Sequence, residues 1–299
     1  MRRIQGATIA ALAGLILAWG CAGPEGSGPS LSGLTGLVPL PGAAQPAAAI
    51  VTKAGAKAVD ASRPITPSEE YYIGRAVCAR ILAKYPLSQD QALTLYVNEV
   101  GRTVARKSNR PDPYRGYHFG VLETSEPNAF ACPGGIILVT KGLVRKCADE
   151  DELAAVLAHE VAHIVNQDGI NSISRARWSE VLTTAGAEAA RQYGGVAGNL
   201  VTLFESSIDD VFKTIVVNGY SRGAEEAADR EAISILTRAG YNPAALASLL
   251  GRMGSGGGGI MRTHPPTADR LAKVKSQSAA AQPGKMEEVR TKRFKEQKI

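Results

Sequence analysis

His159-Glu160-Val161-Ala162-His163 is the stretch that decides how this chain is read. Residues four apart share one face of a helix, so both imidazoles reach a common ion, while Glu160, one step round, points at a ligand of that ion. The flanking sequence predicts the helix itself. Asp149 is a capping residue with Glu152 three positions on as its capping-box partner, and Asp168-Gly169 closes the segment. Leu153, Val156, Leu157, Val161 and Ile164 give the helix an apolar face. Two nitrogen ligands and a neighbouring carboxylate base are the parts that activate water against a peptide bond.

A catalytic zinc site needs three protein ligands and an open position, so the histidine pair is incomplete. The chain has four histidines, His118, His159, His163 and His264. His118 falls in a strand-like run and reads as structural. The better third ligand is Glu225, in Tyr220-Ser221-Arg222-Gly223-Ala224-Glu225-Glu226-Ala227-Ala228-Asp229. Glu225 and Asp229 are four apart at a helix start; one can bind metal while the other holds an imidazole N–H. Glu226 reads as a solvated neighbour and Arg222 as a locally paired cation. His264, in Arg262-Thr263-His264-Pro265-Pro266 behind a glycine-rich run at 254–259, has three readings. It stabilises an oxyanion near the metal, it fills the open position as a removable fourth ligand, or it merely begins a Pro-capped helix.

Outward from the motif, Thr66 with Glu69 predicts a capped helix to about Lys84, and residues 88–107 a second with Leu93, Val97 and Val100 on one face. Residues 117–122 alternate as a strand would, Ile136-Ile137-Leu138-Val139 is a second strand, and the proline- and glycine-broken residues 126–135 between them form a turn. A helical region spans 171–218, another helix runs from about Ala224 to Ala239 before Gly240, and Asn242-Pro243 opens one more.

The chain has 299 residues, is 44% hydrophobic and 21% charged, and carries a net charge of +6, which is ordinary for a globular protein. Residues 285–299 hold six Lys or Arg against three Glu and so supply half of that charge. The body is nearly balanced, without a basic stripe interleaved with aromatics, which argues against nucleic acid as a partner. The segment at 281–299 reads as a basic, solvated tail.

Arg2 and Arg3 precede an apolar run from Ala7 to Trp19, too short to span a bilayer, which marks residues 1–20 as an export signal. Ala18-Trp19-Gly20-Cys21 resembles a bacterial lipobox, with Ala18 and Trp19 departing from its preferred residues. Lipidation of Cys21 is the expectation; ordinary cleavage nearby is the alternative. Residues 21–62, rich in Gly, Ala and Pro, read as a flexible tether. Export puts Cys78, Cys132 and Cys147 in an oxidising compartment, where Cys132 and Cys147 could bridge and one thiol stays free.

Four motifs, in order, carry a family resemblance. Asn128-Ala129-Phe130-Ala131 with Pro133-Gly134-Gly135, the His-Glu-x-x-His helix, the Ser221 to Asp229 segment and Thr263-His264-Pro265 resemble the HtpX-like and CaaX prenyl protease 1 family of zinc metallopeptidases, in its exported BepA-like branch. The resemblance runs from about Pro64 to Lys275. It implies one zinc ion on His159, His163 and Glu225, with Glu160 as general base. Asp229 would be a proton donor in the family pattern, although orienting a zinc-bound imidazole suits an acid beside zinc at least as well. It also implies that Asn128, Ala129 and Phe130 form an edge strand to which an extended substrate adds. The expected fold is a zincin-like, mainly helical α+β domain over 63–280, with a small sheet beside the metal helix. The expected activity is zinc-dependent endopeptidase action in the periplasm, anchored to the outer membrane by lipid, on unfolded or misassembled envelope proteins. The alternative is a chaperone-like assembly factor that holds such proteins in the same groove with little proteolysis.

Overall fold

Thr66 opens the first helix, α1 (Pro67–Lys84), with a complete capping box: its hydroxyl accepts from Glu69 N–H, and the Glu69 carboxylate accepts from Thr66 N–H. In the computed structural model the described residues are 65–173, 208–253, 260–265, 268–279 and 286–297, all within one unit. The export signal, Cys21, the tether, the middle of the 171–218 region and the glycine run at 254–259 lie outside them. Among the described residues no helix is long and apolar enough to cross a membrane.

Asp90 caps α2 (Gln91–Ala105), whose Leu93, Val97, Val100 and Val104 are buried along one face. Three short strands follow: β1 (His118–Leu122), β2 (Ala129–Cys132) and β3 (Ile136–Thr140). The sheet order is β1-β3-β2, with β3 parallel to β1 and antiparallel to β2, so β2 is an edge. The residues read only as a turn thus contain a strand, bracketed by Pro127 and Pro133, as the family resemblance implied. The β2–β3 turn needs glycine at Gly134, where φ is 75° and a Cβ would stand 2.5 Å from Tyr71 Cα. Glu70, buried on α1, receives the Gly134 N–H at 3.0 Å and holds Arg110 through both carboxylate oxygens.

Thr140 caps α3 (Lys141–Val144), and Asp149 caps the motif helix α4 (Glu150–Val165). The elements that follow are α5 (Asp168–Asn171), a π-helical turn (Lys213–Asn218), α6 (Arg222–Ala239), α7 (Ala245–Met253), α8 (Ile260–Thr263), α9 (Ala268–Ser278) and α10 (Glu287–Glu296). The motif helix is buried from Glu150 to Ile164, against α2, β2, β3, α5, α6, α7 and α10. Gly240 in the left-handed region ends α6, as expected. The architecture is mainly helical with a small sheet, which matches the expected fold class.

The basic segment departs from the reading of it as solvated. Residues 287–296 form α10, which packs on α4 and buries Phe294 against Tyr96, with ring centroids 6.3 Å apart. Its charges are used inward. Three consecutive acids at the α4 N-terminus, where the helix dipole favours anions, each meet an arginine: Glu150 with Arg293, Asp151 with Arg290, and Glu152 with Arg252 of α7. Tyr96 and Tyr241 hydroxyls complete Glu150 at 2.8 and 3.1 Å. Buried carboxylates need such partners, and these fix the metal-motif helix at its start.

Candidate metal centre

His159 and His163 sit one turn apart on α4, and their Nε2 atoms stand 3.0 Å from each other. Glu225 reaches the same point from the first turn of α6, whose N-cap Ser221 accepts from Ala224 N–H. Its Oε2 is 3.4 Å from His159 Nε2 and its Oε1 3.4 Å from His163 Nε2. His264, just beyond α8, brings Nδ1 to 3.3 Å from His159 Nε2 and 2.8 Å from Glu225 Oε1. Four donor atoms on a tetrahedral zinc ion would stand roughly 3.4 Å apart, given metal–ligand bonds near 2.0–2.1 Å. The observed separations of 2.8 to 3.4 Å run from shorter than that spacing up to it, so the four donors converge on one point. The cluster is buried, and its donor atoms all lie within 4.8 Å of one another.

Electrostatics favour a cation here. Burial lowers the imidazole pKa values, but the carboxylates outweigh it: Asp229 and Glu225 raise His159, and Asp168 and Glu225 raise His163 to about 10. The cluster draws protons where a metal ion would supply the positive charge. Burial pushes Glu225 up, but the three histidines around it hold its carboxyl well below the usual range.

Outer residues aim the ligands. Asp168 Oδ2 lies 2.7 Å from His163 Nδ1, and Asp229 Oδ1 lies 3.1 Å from His159 Nδ1, so each imidazole presents Nε2 inward. Asp229 is clamped by Arg270 of α9, with Nε–Oδ2 2.5 Å and Nη2–Oδ1 2.8 Å. Burial raises its pKa, yet Arg270 and His159 prevail and bring it down to about 2. Arg270 also meets Glu225 Oε2 at 2.7 Å and the His264 carbonyl at 3.2 Å. Tyr220 stacks on His163, with centroids 4.2 Å apart, and its buried hydroxyl has no hydrogen-bond partner among the described residues.

Glu160 is fully buried, and neither carboxylate oxygen receives a hydrogen bond among the described residues. His264 Nε2 stands 3.7 Å from Glu160 Oε1. A buried carboxylate without a hydrogen bond calls for a partner, and this one lies beside the donor cluster.

The strand expected at Asn128 to Phe130 is present, but buried. All four β2 residues are buried. Asn128 Oδ1 takes the Ala129 N–H at 2.9 Å and accepts from Thr263 Oγ1 at 3.3 Å, while Ile260 N–H bonds the Pro127 carbonyl at 2.7 Å. The segment carrying His264 is thereby tied to the strand edge. The Phe130 side chain is buried and stacked on Tyr85, with ring centroids 6.0 Å apart.

The model of peptidase family M48 matches residues 91–278, more than half of the chain. The chain belongs to peptidase family M48. It is 27% identical over 236 residues to the beta-barrel assembly-enhancing protease of Yersinia pestis, covering 75% of this chain and 46% of that protein. It is 30% identical over 244 residues to a protease HtpX homolog of Salinibacter ruber, covering 71% of this chain and 84% of that one. A third relative, the mitochondrial metalloendopeptidase OMA1 of Schizosaccharomyces pombe, is 29% identical over 195 residues, or 63% of this chain and 54% of its own. The chain spans about half the length of the beta-barrel assembly-enhancing proteases it matches.

Within this M48 domain the structure brings His159, His163, Glu225, Asp229, Glu160 and His264 together. His118 stands apart, its Nε2 bound to the Arg115 carbonyl. Sequence reasoning missed Arg270, Asp168 and Tyr220. Asp168 was visible only as a helix end, although its place five residues after His163 is within reach of that ring. Arg222 is exposed, and the arginine that supports the site is Arg270.

Proposed function

We propose that this M48 chain is a zinc-dependent endopeptidase in which His159, His163 and Glu225 hold one zinc ion and Glu160 is the general base. The observation that carries this reading is the convergence of those three donors beside a buried carboxylate with no hydrogen bond. Zinc, when bound, supplies Lewis acidity: it polarises a carbonyl oxygen and makes a water molecule acidic near neutral pH. Glu160 takes a proton from the attacking water and hands it to the leaving amine nitrogen. Asp168 and Asp229 are positioning residues. Asp229, held ionised by Arg270, is an acceptor for His159 Nδ1–H and a poor proton donor.

His264 occupies the fourth place in the donor set, where a substrate or water must enter, and Thr263 and Ile260 hold its segment to the Asn128 side chain and the Pro127 carbonyl just before β2. This is a latent arrangement. Withdrawal of the α8 segment frees the fourth position, the Pro127 carbonyl and the Asn128 side chain in one movement, and an extended, unfolded polypeptide then adds along Asn128, Ala129 and Phe130 at the edge of the sheet. The name of the beta-barrel assembly-enhancing relatives supports envelope proteins, unfolded or misassembled, as substrates, and the export signal and Cys21 read from the sequence support a lipid-anchored place in the periplasm.

The test is metal analysis paired with cleavage of casein by wild type, Glu160→Gln and His264→Ala. Glu160→Gln should retain one metal per chain and the wild-type melting temperature while losing at least about 100-fold in cleavage. His264→Ala should cleave faster than wild type. Undiminished cleavage by Glu160→Gln overturns the base assignment, and loss of cleavage in His264→Ala overturns latency in favour of a catalytic histidine.

A further inference from the structure

The Glu160 carboxylate and the Tyr220 hydroxyl are both buried beside the donor cluster, and both lack a hydrogen-bond partner among the described residues. Glu160 serves as the base of the proposed reaction. Tyr220 has no task in it, and a buried hydroxyl left unpaired costs stability until a partner arrives.

The tyrosine is placed by its neighbours. Its ring lies on the His163 imidazole, with centroids 4.2 Å apart and planes 27° from parallel, and its centroid is 6.2 Å from that of His264. The hydroxyl stands 3.6 Å from where a Cβ on Gly169 would be, and that same Cβ would lie 3.0 Å from the Pro133 ring. It therefore sits on the His163 side of the cluster, near the point where β2 gives way to Pro133. Behind it, Gly219 has φ 77° and runs directly against the α8 segment: a Cβ there would stand 2.3 Å from the Thr263 carbonyl oxygen. Arg262 Nη2 donates to the Val216 carbonyl at 3.1 Å, in the π-helical turn that lies against β2. Ser221 caps α6 immediately after Tyr220. Tyr220 is thus held between a histidine of the motif helix and the segment that carries His264.

We infer that Tyr220 is a substrate-binding residue of the proposed peptidase, its hydroxyl donating to a backbone carbonyl of an extended polypeptide on the His163 side of the metal centre.

A peptide carbonyl suits this position. A phenol is protonated at neutral pH and offers a donor, which the Glu160 carboxylate cannot. The nearby Asp168 Oδ2 is already taken by His163 Nδ1 at 2.7 Å, and the tyrosine does not bond it. A bond to backbone is indifferent to side-chain identity, as is strand addition along Asn128 to Phe130. While the α8 segment rests on Gly219 and Pro127, the polypeptide is kept out and the hydroxyl stays unpaired. The latent chain holds this donor at a cost in stability that the substrate relieves. The part played by Tyr220 in cleavage rests on the peptidase reading of the site; its stability signature does not.

Tyr220→Phe keeps the ring and removes only the oxygen. Metal affinity, measured by chelator competition, should stay within about 2-fold of wild type, because the stack on His163 is retained. Tm should be no lower than wild type and up to about 8 °C higher, since the unpaired group is gone. Casein cleavage should lose about 5–50-fold in kcat/KM. In a Glu160→Gln, His264→Ala chain, which opens the fourth position without cutting, the same substitution should weaken casein binding by a similar factor. If wild type does not cleave casein, the endopeptidase reading fails, and the binding and Tm measurements still decide the role of Tyr220. A Tm lowered by more than about 2 °C would reveal a partner for the hydroxyl within the fold. Metal affinity that falls in step with cleavage would place the effect at His163, and unchanged or absent casein binding would remove the substrate contact. Each of these three results overturns the assignment.

Discussion

Arg270 grips Asp229 by two parallel hydrogen bonds, Nε to Oδ2 and Nη2 to Oδ1, and Asp229 in turn faces the Nδ1 of His159. The chain guanidinium–carboxylate–imidazole fixes which nitrogen of His159 points inward. A lysine cannot reproduce the fork. Arg270→Lys should therefore weaken metal binding by about 10–100-fold while the domain stays folded. Competition with a chelator of known affinity measures this, and unchanged affinity would remove Arg270 from the site.

Asp168 does the same for His163 from the other side. Asp168→Asn keeps the shape but replaces the charged acceptor, so metal affinity should fall by about 10-fold or more. Metal removal itself should lower Tm in wild type, because an ion that binds only the folded chain stabilises it by about 2.7 kcal/mol at 100-fold excess over Kd. The chelator-induced drop in Tm should be smaller in Asp168→Asn, as read by calorimetry.

Phe294 tests whether α10 belongs to the fold. It is 8% exposed, against 51% for Val289 on the same helix. Phe294→Ala should destabilise by about 3 kcal/mol, and Val289→Ala by no more than about 0.5 kcal/mol. Equal, negligible losses in urea unfolding would return the segment to a solvated tail.

Glu152 gives the pH dependence a sign. Burial pushes its pKa up, but Arg252, Ala148 N–H and Ser248 outweigh this and leave it below the ordinary value of 4.5. A carboxylate depressed in the folded state adds stability that is present above its unfolded pKa and fades as pH falls through the folded one. Wild-type stability should thus decline from about pH 4.5 downward. Glu152→Gln should be weaker by about 2 kcal/mol at pH 7 and lose less on acidification. Parallel pH profiles for the two proteins would refute the assignment.

The donor cluster was legible because helical spacing is local: His159 with His163, and Glu225 with Asp229, are each four apart, and a helix converts that spacing into a shared face. Thr66, Asp149 and Gly240 marked helix ends for the same reason. Arg270 was not legible, since it lies 41 residues from Asp229 and only packing brings α9 to α6. β2 was hidden because Ala-Phe-Ala-Cys is four residues long between two prolines and buried on both faces, which erases the alternation that reveals a strand. The charge of residues 285–299 suggested solvation because composition cannot show that buried acids await those arginines. The bridge from Cys132 to Cys147 failed for a similar reason: spacing favoured it, but Cys147 is buried with its Sγ on the Leu143 carbonyl, and the three described cysteines are free.

The arginine clamps at the head of α4 carry a consequence for how the protein is made. Glu150 and Arg293 are 143 residues apart. At ribosomal rates of about 5–20 residues per second, the metal-motif helix waits about 7–30 s for the partners that neutralise its buried acids. During that interval the chain has His159, Glu160 and His163 but lacks the scaffold that aligns them, so the donor cluster is completed only late.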